Sequence, residues 1–270
     1  MTDQRFFGID ISAYQGVLDW DIIAGHVPTV MFAGIRAGIS WGYTDKWFTR
    51  NQEEAKRVGI PRTFYHVFYP AENAARQVAN LKKIVGDDMG ELPITADVEL
   101  VHNVPRSQFA KNLKLYLDEI EKVFGRKPII YSRGEFINYS VGDEFTKPYG
   151  NSYYWWMAHY NNTPGVERVE LPAIPHNVDM SNVIMHQNGD KFKAIGGTSS
   201  SMDFNRWLGS SEDFYEIARI KNTDGDIIVE DNNNIDKKIV SVNTKINHIR
   251  GQADLLVELF DDLVVEIYTK

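Results

Sequence analysis

The feature that most constrains this chain is an early alternation of strand and helix patterns. Phe6–Ser12, Val30–Gly38, Thr63–Tyr69, Pro93–Leu100 and Pro128–Ser132 are short apolar or alternating runs of strand character. Helical spacing fills the gaps at Asp45–Gly59, Glu72–Val85 and Ser107–Gly125, and a glycine stands at or just after each helix end. Strands alternating with helices at this spacing predict parallel pairing through right-handed crossovers. The alternation then weakens. Tyr153–Tyr160, Val183–Gln187 and Ser201–Asn205 read as three more strands, but Pro164, Pro172 and Pro175 interrupt the chain and no helical period separates them. The fold class this implies is α/β: an irregular (β/α)8-like barrel with helices mainly in its first half. An open doubly wound sheet is the alternative. Gly34-Ile35-Arg36-Ala37-Gly38 lacks the spacing and the following acid of a phosphate-binding loop.

One strand carries an unusual pair. In Pro93–Leu100 the side chains alternate faces, so Asp97 and Glu99 point the same way, about 6.6 Å apart along the strand. Two like charges in apolar surroundings raise each other's affinity for a proton. A surface strand with two solvated acids is the plainer reading, and the apolar residues flanking the pair weigh against it.

In a closed barrel the first and last strands are neighbours, and active sites collect at the carboxyl ends of the strands. Asp10 ends the first strand, Asp97 and Glu99 the fourth, and Asp203 lies on the eighth. Four carboxylates therefore converge on one mouth, lined by Tyr65, Tyr131, Trp156 and Tyr160, with Arg36 and Gln187 beside them. Acids rimmed by aromatic faces suit cleavage of a glycosidic bond: one protonates the leaving oxygen, a second stabilises the cationic centre, and sugar rings pack on the aromatics. Duller roles are a loop cap for Asp10 and a structural acid for Asp203. A hard cation held by the carboxylates is a further alternative. His66, His102, His159 and His186 share no metal-ligand spacing, so no metal and no cofactor are expected.

Composition narrows the partners. The chain has 270 residues, no cysteine and a net charge of −8. That excludes disulfides and thiolate chemistry and disfavours nucleic acid, while leaving a neutral polymer open. The start, Met-Thr-Asp-Gln-Arg, has no signal-peptide pattern, and no apolar run reaches membrane-span length. Synthesis in a host cytoplasm is expected, with release by lysis machinery or carriage on a virion to reach an external target.

Several of these residues also carry a resemblance. Asp10-Ile11-Ser12-x-Tyr14-Gln15-Gly16 with Asp19-Trp20, then Asp97-Val98-Glu99, Ala158-His159-Tyr160 and Met202-Asp203-Phe204-Asn205 resemble glycoside hydrolase family 25. Its members are lysozymes that hydrolyse the β-1,4 bond between N-acetylmuramic acid and N-acetylglucosamine. The resemblance spans about residues 5–210 and gives residues 1–212 as the catalytic barrel. It implies Glu99 as general acid and Asp97 as second catalytic carboxylate, with Asp10 and Asp203 shaping the site. Tyr14, where many members have tryptophan, and His159 depart from the pattern. Peptidoglycan is the implied partner. The rivals are a phage tail protein carrying a wall-penetrating barrel and a glycan-binding module that has lost catalysis.

Beyond residue 212 the pattern changes. Residues 213–234 read as a linker with a turn at Thr223–Asp226. From Ile235 to Ile267 a strict 4-3 repeat is apolar at every seam position, through Ile239, Val242, Ile246, Ile249, Ala253, Leu256, Phe260 and Leu263. Residues 235–270 are expected to form a coiled-coil helix that makes a homo-oligomer or docks to a phage structural protein, and the isoleucine-rich seam favours a trimer.

Overall fold

A computed structural model describes residues 6–199 and 201–220. The coiled-coil segment 235–270 and the turn at Thr223–Asp226 lie outside the described residues.

The strands are β1 (Phe7–Ile11), β2 (Val30–Ile39), β3 (Tyr43–Thr44), β4 (Arg62–Val67), β5 (Thr95–Asp97), β6 (Ile129–Ser132), β7 (Trp155–Ala158), β8 (Val183–Phe192) and β9 (Met202–Trp207). They form one sheet in the order β1-β9-β8-β7-β6-β5-β4-β2-β3, and pairing of β1 with β2 closes it. The result is an eight-stranded barrel, with the two-residue β3 hung on the end of β2. Strands β1, β2 and β4–β8 run parallel, as the alternation predicts. The exception is β9, antiparallel to both its neighbours. Residues 193–201, which join β8 to β9, are too few for the crossover of about a dozen residues or more that a parallel return needs.

The helices are α1 (Trp20–Ala24), α2 (Phe48–Arg57), α3 (Ala74–Val85), α4 (Arg106–Phe124), α5 (Gly134–Phe136), α6 (Asp143–Tyr149) and α7 (Ser211–Ala218). Their ends follow local chemistry. Asn73 accepts a hydrogen bond from the Arg76 amide to cap α3, and Gly125, at φ 70°, closes α4 in the left-handed region. Phe109, Leu113, Tyr116, Leu117 and Ile120 of α4 are buried, one face of the helix against the barrel. The stretch from α5 through the π-turn Ile137–Val141 to α6 carries no clean 3.6 period, and Gly142 and Pro148 interrupt it. Sequence patterning therefore missed it.

Two expectations need correction. Residues 213–218, read as the start of a linker, are most of α7. Its Phe214 and Tyr215 are buried beside Phe32 and Trp207 of the barrel. Strand β5 ends at Asp97, so Glu99 lies two residues beyond it rather than within it. The chain stays bonded there: the Val98 amide donates to Tyr131 O, and Ser132 Oγ donates to Val98 O.

Glycines make room inside the barrel at two points. A Cβ on Gly8 would lie 2.4 Å from the Phe32 ring, and one on Gly34 would lie 2.5 Å from the Trp156 indole. Both aromatics occupy space that any other side chain would take.

Candidate active site

All four predicted carboxylates and all six predicted cleft residues line a single cleft of about 380 Å³ at the carboxyl ends of the parallel strands. Register explains the convergence. Asp97 is the neighbour of Tyr131, Tyr131 of Trp156, Ala158 of Gln187, and Arg36 of Tyr65. Asp203 reaches the mouth for a different reason from the others: β9 runs backwards, so its beginning, not its end, is at the top.

The inner acids are tied together by amides. Asp10 Oδ2 accepts from Gln187 Nε2 at 2.9 Å and from Asn205 Nδ2 at 2.8 Å. Gln187 Nε2 also donates to Asp203 Oδ2 at 3.3 Å, and its Oε1 accepts from the Tyr131 hydroxyl at 2.8 Å. Asn205 Oδ1 accepts from Trp156 Nε1 at 2.8 Å. Trp156 is therefore the floor of the cleft more than a sugar platform: it is 1% exposed and anchored through Asn205 to Asp10. Tyr160 sits at the rim, where the Arg133 guanidinium packs over its ring and donates to its hydroxyl.

Arg36 is held by an acid that sequence reading did not single out. Asp45 Oδ2 accepts from Arg36 Nε at 2.8 Å and from the Ala13 amide at 2.9 Å, while Oδ1 accepts from the Trp47 amide. The pair is almost fully buried, so each partner depends on the other. Arg36 also lies 5.2 Å from the centre of the Tyr14 ring and 5.8 Å from that of Tyr43. Tyr14 is 76% exposed, an aromatic face open at the cleft edge. On the same side, Gln15 Oε1 accepts from the Ser12 amide, and Gln15 Nε2 donates to Ser201 O.

Burial and mutual repulsion shift the acids upward. Asp97 is raised well above the ordinary carboxylate range, first by desolvation and then by Glu99 and Asp10, with Arg36 opposing. Asp203 is pushed up to about 8 by burial and by Asp10. Asp10 is raised by burial against the hydrogen bonds from Asn205 and Gln187. Glu99, an exposed residue whose carboxyl nonetheless sits within the cleft, is raised by desolvation, with Arg133 opposing. Because the four acids interact, their titration belongs to the group and not to any one of them. One atom stands out: Asp97 Oδ1 is buried without a hydrogen-bond partner. A buried carboxyl oxygen left unbonded is costly unless a ligand completes it.

Among the described residues, no group of three or more His, Cys, Asp or Glu side chains is placed to hold a metal ion. His66 is buried against the Tyr116 hydroxyl, His186 bonds to His159 O and Arg206, and His159 accepts from the Ala173 amide. All three are structural. No described helix is long and apolar enough to cross a membrane.

Comparison with known proteins gives a consistent picture. The sequence matches the family described as Glycosyl hydrolases family 25 over residues 9–196. A relative in Escherichia coli K12, the uncharacterized protein YegX, is 29% identical over 209 residues, covering 76% of this chain and 71% of that protein. The bacterial lysozyme from Streptomyces coelicolor has a similar structure, with a TM-score of 0.67 at 21% identity, covering 80% of this chain and 98% of that one. A family GH25 lysozyme from Aspergillus fumigatus gives 0.64 at 22% identity, over 80% and 99%.

Proposed function

This chain belongs to glycosyl hydrolase family 25 and is a glycoside hydrolase, and from that premise we propose that it is a muramidase of bacterial peptidoglycan. In this reading it hydrolyses the β-1,4 bond between N-acetylmuramic acid and N-acetylglucosamine. The observation that carries the reading is the stacking of two unlike acids on one short stretch. Asp97 is 4% exposed with an unbonded oxygen, and Glu99 stands outside it at the mouth.

Glu99 is the general acid. Desolvation raises its affinity for a proton, and its place at the mouth lets that proton reach the glycosidic oxygen as the bond breaks. Asp97 faces the ring that becomes cationic. We assign its carboxyl to the N–H of the substrate's acetamido group. As the acetamido oxygen attacks the anomeric carbon, Asp97 takes up the positive charge spreading to that N–H, and its raised proton affinity suits the task. Water, deprotonated by Glu99, then opens the oxazolinium ring, and two inversions retain the configuration. Direct attack by Asp97 is the alternative for the first step. Asp10 and Asp203, bridged by Gln187, place carboxyl oxygens beneath the cation.

Digestion of purified peptidoglycan, followed by mass spectrometry of the reducing ends, tests the reading. Reducing N-acetylmuramic acid is expected. Reducing N-acetylglucosamine, or binding without new reducing ends, sinks it. The seam from Ile235 to Ile267 supports a further part of the reading, in which several barrels share one helical stalk. Light scattering would return a monomeric mass if that part is wrong.

A further inference from the structure

Beside the cleft lies a second cavity, of about 540 Å³, which joins it through Tyr160, Asp190 and Lys191. Its chemistry is different. Acids dominate the cleft, with Asp10, Asp97, Glu99, Asp190 and Asp203 against Arg36 and Lys191. The side cavity presents Arg133, Arg168 and Lys191 against Glu135 and Asp190. At the junction of the two, Arg133 packs over one face of the Tyr160 ring.

The wall of this cavity is fixed in place. The His159 amide donates to Gln187 O, the Arg168 amide to Asn188 O, and the Gly165 amide to Asp190 O. Arg206 donates to Val169 O and Glu170 O, and the Ala173 amide donates to His159 Nδ1. Arg168 is partly buried. Its nearest acid is Glu170 at 3.5 Å, and its buried Nε makes no hydrogen bond.

We propose that this side cavity receives the anionic peptide stem of the muramic acid residue. The inference rests on the muramidase reading and names a further part of its substrate. A linear glycan runs along a cleft. What leaves it sideways is a substituent, and in peptidoglycan that substituent is a short peptide with free carboxylates, carried on the lactyl ether of muramic acid. Inside the cleft Arg36 is already paired with Asp45, whereas the guanidinium groups of the side cavity are placed to accept carboxylates.

The test compares glycan strands bearing stem peptides with the same strands stripped by an amidase. Arg168→Gln lowers the ratio of kcat/KM on stem-bearing to stripped strands about ten-fold, the value of one lost charge-assisted hydrogen bond. In the wild type, an N-acetylated stem tetrapeptide with free carboxylates inhibits digestion at low salt, and its fully amidated counterpart does not. An unchanged ratio together with no inhibition by the free peptide overturns the proposal and leaves the muramidase reading intact. If Arg168→Gln does not fold, the wild-type inhibition decides alone. Cleavage of neither substrate overturns the muramidase reading, and this proposal with it.

Discussion

Asp10 and Asp203 stand directly opposite each other across the antiparallel β1–β9 pair, and one amide nitrogen, Gln187 Nε2, donates to both. Like charges in that relation repel. Burial and this repulsion are what hold Asp203 at about 8.

The sign of the consequence for stability is fixed. An acid whose proton affinity is raised on folding favours the folded state below its unfolded pKa, and that contribution is lost as pH rises through the folded value. Between about pH 4 and the value of about 8 held by Asp203, this acid makes the fold progressively less stable. Buried His66 and His186, both lowered to about 4, act in the opposite direction over the acid half of that window. The clean measurement is therefore a difference. The thermal midpoint of Asp203→Asn minus that of the wild type grows from pH 4 to 8, and a flat difference contradicts the shift.

Glu99→Gln lowers kcat by roughly 10²–10⁴-fold, the usual worth of a general acid. The residue is exposed, so the melting temperature stays within a degree or two of wild type, consistent with surface changes of about 0.5 kcal/mol or less. Release of reducing ends gives the rate, and calorimetry the control. A mutant retaining half the wild-type rate would remove Glu99 from the role.

Asp97→Asn is comparably severe in rate but does not weaken the fold, because it replaces a buried acid that lacks a full set of partners. Participation of the acetamido group predicts that the wild type fails on de-N-acetylated glycan. Full activity there would leave direct attack by Asp97 as the first step.

Gly34→Ala places a methyl 2.5 Å from the Trp156 ring and 3.1 Å from Asp10 Cβ. Overpacking of this kind costs about 1–3 kcal/mol. Activity falls as well, because Trp156 is linked through Asn205 to Asp10. Denaturant titration and turnover on cell walls should move together. A stable, active variant would mean that the indole is free to shift.

What was legible in the sequence was local. Strand ends could be read from apolar runs and turn residues, so Asp10, Asp97, Glu99 and Tyr131 could be placed at one mouth before their neighbours were known. What was not legible depends on distant partners. Gly34 looks like any glycine in a strand until Trp156 arrives from far along the chain. Asp45 looks like a helix start, yet it anchors Arg36 from across a hairpin. Asn205 lay within a recognised motif, but only the closed barrel brings it between Trp156 and Asp10. The direction of β9 did leave a trace, in the short connection at residues 193–201.

That reversed strand also decides where the chain leaves the barrel. Because β9 starts at the mouth, it finishes at the other end, and α7 settles beneath the beginnings of the strands. There Arg126, just ahead of β6, donates to Ile217 O, and the Leu208 amide donates to Ile184 O at the start of β8. A parallel last strand would have delivered the exit beside the cleft, in the path of any polymer threading through it. With the exit on the blind end, a tether or fusion attached at Ile220 leaves the approach to the cleft clear.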